Sequence, residues 1–375
     1  MKIMLTGGGT AGHFYPLIAI AEEVQALADE RKLIEPTLYY MSNDPYDKKL
    51  LDEHSIIFKR APAGKRRMYR SILNFFDIFK MAIGIVKATW TMFFIYPDVV
   101  VSKGGYASVP ATVAAFLLRI PVIIHESDSV PGRANLNAAR FAKRIAVSWP
   151  EAAAYFPADK VAVTGQPVRK DIMTPIHQGG HEYLKLDEHL PVVVVIGGSQ
   201  GARTINDAVL DILPQLITMS QVIHQTGETN YASVSSVASL VLDKSEHKER
   251  YKPMAYLHPL TMRMAAGVAS LVLSRAGSGL FEIAAWGVPA IVIPISESQG
   301  DHQRKNAFNY ARSGAAIVIS EENLTPHLLM SEIRRILDNE TMRLQMAAAA
   351  KAFFTPDAAR SIAHEAIAIA LRHEA

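Results

Sequence analysis

Two distant stretches of the chain share one pattern of apolar and polar positions. Residues 3–13 read Ile-Met-Leu-Thr-Gly-Gly-Gly-Thr-Ala-Gly-His, and residues 192–203 read Val-Val-Val-Val-Ile-Gly-Gly-Ser-Gln-Gly-Ala-Arg. Each is an apolar run, then a glycine turn, then a helical spacing of apolar residues. Runs without alternation belong to strands covered on both faces, as in a parallel sheet between helices. Pro97-Asp98-Val99-Val100-Val101 and Pro121-Val122-Ile123-Ile124 add strands to the first half. Leu271-Val272-Leu273 and Pro289-Ala290-Ile291-Val292-Ile293 add strands to the second. Helical stretches separate them, as βαβ units require. The pattern predicts an α/β chain of two Rossmann-like domains with parallel sheets. Pro167, Pro175, Gly179 and Gly180 punctuate the middle. This gives a first domain over 1–166, a linker over 167–190 and a second domain over 191–356. An alanine-rich helix over 357–373 closes the chain and is free to pack on either domain, the first included.

One helix stands apart. Ile72, Phe75, Phe76, Phe79, Ile83 and Val86 recur at three- and four-residue spacing and form one stripe. Lys65, Arg66, Arg67 and Arg70 precede it, and Lys80 and Lys87 run along one margin, where their stems snorkel. Basic residues beside bulky apolar ones describe a helix lying on an anionic bilayer. The same stripe also fits an amphipathic helix buried against its own sheet. Asp77, Lys80, Gly84 and Lys87 interrupt residues 72–95, which argues against a membrane span. The first residues form a strand running into glycines and lack the signature of a signal peptide.

Composition narrows the picture further. The 375 residues suit two domains, and 49% hydrophobic with 20% charged is ordinary for globular cores. The absence of cysteine excludes a disulfide scaffold, thiolate metal sites and a cysteine nucleophile. A formal charge of +3 is too mild to indicate a nucleic-acid partner.

The polar punctuation carries the chemistry. Gly7-Gly8-Gly9-Thr10-Ala11-Gly12-His13 puts glycines and a helix start after a strand, where backbone approaches a phosphate or sugar closely. Its G-x-G-x-x-G match lacks an acidic residue closing the second strand, so it does not read as a dinucleotide site. His13 is either a general base near neutral pH or a histidine bonding the helix start. Ser102-Lys103-Gly104-Gly105-Tyr106 places a loop at the rim where α/β ligands bind, unless it is a plain turn. His125-Glu126-Ser127-Asp128 follows a strand at the same rim. It is read as chemistry or as a pair bracing the loop. Gly197-Gly198-Ser199-Gln200-Gly201-Ala202-Arg203 suits phosphate but lacks the Lys-Ser/Thr ending of a Walker loop. Ser274-Arg275-Ala276-Gly277-Ser278-Gly279 opens a helix bearing Glu282, a carboxylate placed to accept ribose hydroxyls or merely to favour the helix dipole. Gly300-Asp301-His302-Gln303 starts another helix.

In this order and spacing, Gly-Gly-Thr-Ala-Gly-His, Gly-Gly-Tyr, His-Glu, Gly-Gln-Pro-Val-Arg, Gly-Gly-Ser-Gln-Gly-Ala, Arg-Ala-Gly and Asp-His-Gln make the chain resemble the bacterial MurG family. Those enzymes are UDP-N-acetylglucosamine:N-acetylmuramyl-(pentapeptide) pyrophosphoryl-undecaprenol N-acetylglucosaminyltransferases. The resemblance implies the GT-B architecture, two Rossmann-like domains facing across a cleft. It implies inverting transfer from UDP-GlcNAc to lipid I, giving lipid II, with no cofactor and no bound catalytic metal. It implies a peripheral enzyme on the cytoplasmic face of the bacterial membrane. Donor contacts carried over are Thr10, Ala11, Gly12, Asp128, Arg169, Ser199, Leu257, Ser278, Gly279, Leu280, Phe281, Glu282 and Gln303. His13 is the leading base, with Glu126 its rival; Gly104, Gly105 and Tyr106 form the acceptor loop. On the membrane reading of the striped helix, the residues expected to face the bilayer are Arg66, Arg67, Arg70, Ile72, Phe75, Phe76, Phe79 and Lys80. This chain departs from the family in three places. Asp128 stands where Asn is usual, Arg275 and Glu282 are one step closer together, and His258-Pro259 replaces an acidic pair. Competing readings are a GT-B enzyme with another lipid acceptor, an NAD oxidoreductase, and a non-catalytic sugar-nucleotide sensor.

Overall fold

The computed structural model describes residues 1–64, 73–198, 201–296 and 301–373. The chain forms two compact units, Met1–Arg169 with Thr355–Ala375, and Lys170–Phe354.

The first unit holds β1 (Lys2–Thr6), β2 (Thr37–Ser42), β3 (Ile57–Arg60), β4 (Val99–Ser102), β5 (Val122–Glu126), β6 (Arg144–Val147) and β7 (Val161–Val163). They pair in the order β3-β2-β1-β4-β5-β6-β7. Every pairing in this sheet is parallel. β1, β4 and β5 are almost wholly buried, as expected of apolar runs covered on both faces. The winding reverses between β1 and β4, which opens a crevice at their carboxyl ends. Thr6 is paired with Ser102, so Gly7 and Lys103 leave the sheet side by side. The N–H of Lys103 still donates to the Thr6 carbonyl, at 2.8 Å.

Helix Ala358–His373 belongs to this unit. Its alanines at 359, 363, 366 and 370 are buried with Ile362 and Ile367 beside Leu17, Ile20, Val24 and the strand residues of β1. Small side chains let it lie close along helix Ala11–Glu30, and Arg360 pairs with Glu23 and Glu30 at the edge.

The striped helix runs Leu73–Ile95 and packs on helix Val109–Leu117. The reading as a helix with its bulky stripe buried against its own sheet is overturned, because the small residues face inward. Gly84, Ala88 and Met92 are buried, while Phe75, Phe76, Phe79, Ile83 and Val86 are exposed. A Cβ on Gly84 would lie 1.7 Å from the Pro62 carbonyl oxygen, and one on Gly64 would lie 1.9 Å from that of Asp77. Two glycines, one on each partner, thus let residues 61–64 lie directly on the helix. Among the described residues one helix, Phe75–Ile95, is long and apolar enough to cross a membrane. The polar interruptions noted in the sequence do not take it below that length and composition. Ile72, Arg66, Arg67 and Arg70 lie outside the described residues.

The second unit holds β8 (Val192–Ile196), β9 (Gln221–Gln225), β10 (Tyr251–Met254), β11 (Ala269–Ser274), β12 (Ala290–Val292) and β13 (Ala316–Val318). Their order, β10-β9-β8-β11-β12-β13, is parallel throughout and repeats the first sheet's reversal, here between β8 and β11. Its core joins Val193, Val195 and Leu271 to Leu213, Leu216, Leu329 and Ile333 from the covering helices.

Candidate active site

The rim of the first sheet gathers four segments. After β1, the Gly7–Thr10 turn leads into helix Ala11–Glu30. Thr10 sits at the N-cap position, yet its hydroxyl caps no backbone N–H. It bonds His13 Nδ1 at 2.8 Å instead. A Cβ on Gly105 would lie 3.4 Å from His13 Nε2, so the ring's far nitrogen faces the glycine loop after β4. Gly105 has φ 77°, a left-handed conformation that glycine adopts without steric cost. Gly104 fits equally closely, with the carboxamide oxygen of Asn135 2.6 Å from the Cβ it lacks. Tyr106 begins the short turn that follows, and its ring packs against Gly9.

His13 is pushed down to about 4, first by burial and then by the nearby Lys103 charge, with Asp128 opposing. The imidazole is therefore neutral at physiological pH and carries one nitrogen able to take a proton. If Nδ1–H donates to Thr10, that nitrogen is Nε2.

Glu126 is built differently. It is 5% exposed. Oε1 accepts the Asp128 N–H at 3.0 Å; Oε2 accepts the Gly132 N–H at 3.0 Å and Asn135 Nδ2 at 2.9 Å. Burial, and then the charge of Asp128, raise its carboxyl above the usual range, while these hydrogen bonds and Lys103 oppose them. Both oxygens are thus engaged in folding the 127–132 loop onto the end of β5. His125 is fully buried, with Nε2 beside the Gly165 carbonyl at 3.1 Å and Ser148 Oγ at 3.3 Å. Burial, reinforced by Lys103, holds it well below its ordinary value. Glu126 thus braces the 127–132 loop, while the His125 ring ties the end of β5 to Ser148 and Gly165. Arg169 is also buried, its guanidinium carbon 4.2 Å above the Tyr15 ring. That cation–π stack orients it within the first unit.

Sequence reasoning passed over Lys103 and Asn135. Lys103 is 1% exposed, and its Nζ donates to Ser127 Oγ. A lysine between a strand and two glycines was the available signal.

In the second unit, Gly198 has φ 89° and closes the turn before helix Arg203–Met219. Ser199 lies outside the described residues. Gln225, at the end of β9, donates to the Gly198 carbonyl at 3.1 Å and accepts the Leu257 N–H at 3.0 Å. It ties the glycine turn to the segment bearing Leu257, whose side chain is buried and whose N–H is already used. Helix Gly279–Trp286 begins beside Ser278, whose hydroxyl caps nothing, and space is open around Gly277 and Gly279. The Leu280 and Phe281 side chains do not line this space: they are 0% and 3% exposed and pack into the core. Glu282 is half-buried on the first turn. Asn306 donates to the Ala276 carbonyl at 3.1 Å, and Gln303 accepts the Ile295 N–H at 3.2 Å. The first bond ties helix His302–Arg312 to the Arg275–Ser278 turn, and the second ties its start to the segment after β12. Arg275 itself is structural, donating to Glu321 Oε1 at 2.6 Å and to the Ile293 carbonyl at 3.1 Å. Burial would raise Glu321, but its bonds from Arg275, Ser296 and Thr204 hold it down at about 2.

Two reversed parallel sheets, each with a glycine turn and a helix start at the reversal, are matched by two family models. The N-terminal domain of glycosyltransferase family 28 matches residues 3–147, and its C-terminal domain matches residues 192–362. The chain belongs to glycosyltransferase family 28. Within it, the relatives are UDP-N-acetylglucosamine--N-acetylmuramyl-(pentapeptide) pyrophosphoryl-undecaprenol N-acetylglucosamine transferases. That of Halothermothrix orenii is 36% identical over 363 residues, covering 95% of each chain. That of Treponema pallidum is 35% identical over 370 residues, covering 97% of this chain and 94% of its own. Among solved structures, MurG of Acinetobacter baumannii superposes with a TM-score of 0.73 at 24% identity, over 98% of this chain and 99% of its own. That likeness bears out the GT-B fold class.

Proposed function

We propose that the protein transfers N-acetylglucosamine from UDP-GlcNAc to the muramyl sugar of undecaprenyl-diphosphate-linked lipid I, giving lipid II. Its relatives carry that activity in their names, at 35–36% identity over nearly the whole chain. The observation that carries the mechanism is His13, neutral, fixed by Thr10 at Nδ1, with Nε2 turned to the glycine loop.

The acceptor hydroxyl oxygen attacks the anomeric carbon of the donor. Its proton passes to His13 Nε2, the bond from the anomeric carbon to the diphosphate oxygen breaks, and UDP leaves with inversion. Glu126 is the weaker base, since three hydrogen bonds already occupy its carboxylate. Negative charge grows on UDP. Backbone N–H groups at the starts of helices Arg203–Met219 and Gly279–Trp286 are suited to stabilise it, without a metal. Glu282 is assigned to the ribose and Gln303 to the donor sugar. Thr10, Ala11 and Gly12 are assigned to the donor sugar or diphosphate, and Arg169 and Asp128 to the donor side as well. Gly104, Gly105 and Tyr106 are assigned to the acceptor.

The exposed face of helix Leu73–Ile95 supports a peripheral membrane association. Phe76 is 62% exposed and Ile83 62%, with Lys80 exposed beside them. Residues of this size are normally inside, and a contiguous apolar face of this kind marks an interaction surface. A lipid-linked acceptor accounts for it, and the cytoplasmic face of the bacterial membrane is where UDP-GlcNAc and such a lipid meet.

Replacing His13 with Ala tests the chemistry. Loss of a positioned base lowers turnover by roughly 10²–10⁴-fold. UDP binding, measured by calorimetry, is expected to stay within a few-fold. Unchanged turnover would remove His13 from the reaction.

A further inference from the structure

Lys103 has no part in the mechanism above, yet it is 1% exposed. A lysine is almost never fully buried without partners, because desolvating the ammonium is costly. Its stem lies against the first glycine turn, where a Cβ on Gly7 would come within 3.0 Å of Lys103 Cβ. Its ammonium donates to Ser127 Oγ. Charged or titratable groups face it from three other segments: His13 at the start of helix Ala11–Glu30, His125 and Glu126 on β5, and Asp128 in the following loop.

We propose that Lys103 is a positioning residue of the transfer site, and that Asp128 is its compensating charge. This rests on the reading of His13 as the base. Burial and the charge of the half-buried Asp128 both work against the carboxylate form of Glu126. Lys103 opposes them, favouring the carboxylate form of Glu126 that accepts the Asp128, Gly132 and Asn135 donors and holds the loop. The same cation disfavours a second positive charge on His13, so the ring stays open to the acceptor's proton. The electrostatics agree. Lys103 is pulled down to about 8 by burial, against Glu126 and Asp128, and His13 feels Lys103 and Asp128 in opposite directions.

Lys103→Met keeps the length and removes the charge. The acid limb of kcat is expected to move up by about one pH unit or more, with KM for UDP-GlcNAc unchanged. Lys103→Met with Asp128→Asn returns the cluster to its original net charge and is expected to move the limb back. Asp128→Asn alone is expected to move it the other way, so the test does not depend on the lysine variant folding. The same shifts are read without turnover from the NMR titration of ¹³C-labelled histidine, with the His13 signal assigned by its loss in His13→Gln. A His13 midpoint that ignores all three variants would overturn the proposal, as would a double variant no different from Lys103→Met. If the parent protein transfers no GlcNAc, the transferase reading fails, and the NMR arm still decides whether Lys103 controls the proton.

Discussion

Phe75 and Phe79 offer the sharpest test of the surface role of helix Leu73–Ile95. Their rings touch edge to face, with centroids 4.9 Å apart, and they are 60% and 55% exposed. A phenylalanine presents on the order of 200 Å², so each ring leaves roughly 110–120 Å² in water. At about 25 cal/mol per Å², full immersion of that area is worth about 3 kcal/mol per ring, and half immersion about 1.5. Glutamate at both positions removes those terms and adds two negative charges, each unfavourable by about 1 kcal/mol near an anionic surface. The sum is about 5 kcal/mol, or at least a thousandfold in the vesicle partition coefficient. Sedimentation with vesicles of phosphatidylglycerol and phosphatidylethanolamine measures it. The thermal midpoint and UDP affinity are expected to be unchanged, since neither ring is buried and neither is among the residues assigned to the donor. A folded Phe75→Glu, Phe79→Glu protein that still sediments fully would refute the reasoning.

Two further predictions concern the scaffold. The folded-state carboxyl of Glu321 sits at about 2 against an ordinary 4.5. Its stabilisation is therefore present above about pH 4.5 and lost as pH falls toward 2; Glu321→Gln is expected to flatten that part of the stability curve measured by urea unfolding. Gly84→Ala places a methyl 1.7 Å from the Pro62 carbonyl oxygen, so backbone has to move. A loss of about 1–3 kcal/mol in unfolding free energy is expected, and an unchanged midpoint would mean that residues 61–64 do not rest on this helix.

Much of the architecture is readable from local pattern. The runs at 192–196 and 122–124 have no polar position to expose, so only a strand covered on both faces accommodates them. Residues 358–373 announce a helix by composition, but the side it packs on depends on alanines that fit against Ala11–Glu30, a tertiary match with no local trace. Helix Leu73–Ile95 shows the limit of periodicity. A stripe of phenylalanines reads equally as core or as surface, and the deciding residue was Gly84, whose missing side chain makes room for Pro62. At the site, the residue types were visible and their duties were not. Thr10, expected as a donor contact, also bonds His13, and Glu126, expected as a rival base, also holds a loop. Leu280 and Phe281 fall within the donor motif by position, yet the helix turns their side chains into the core. Lys103 gave no sign of burial, because the cavity that holds it is formed by three segments far apart in sequence.

The central claim is tested most directly by incubating the protein with radiolabelled UDP-GlcNAc and lipid I in detergent, with EDTA present. The account predicts labelled lipid II, formed without added metal and lost in His13→Ala. UDP-GlcNAc binding without any labelled lipid would contradict it.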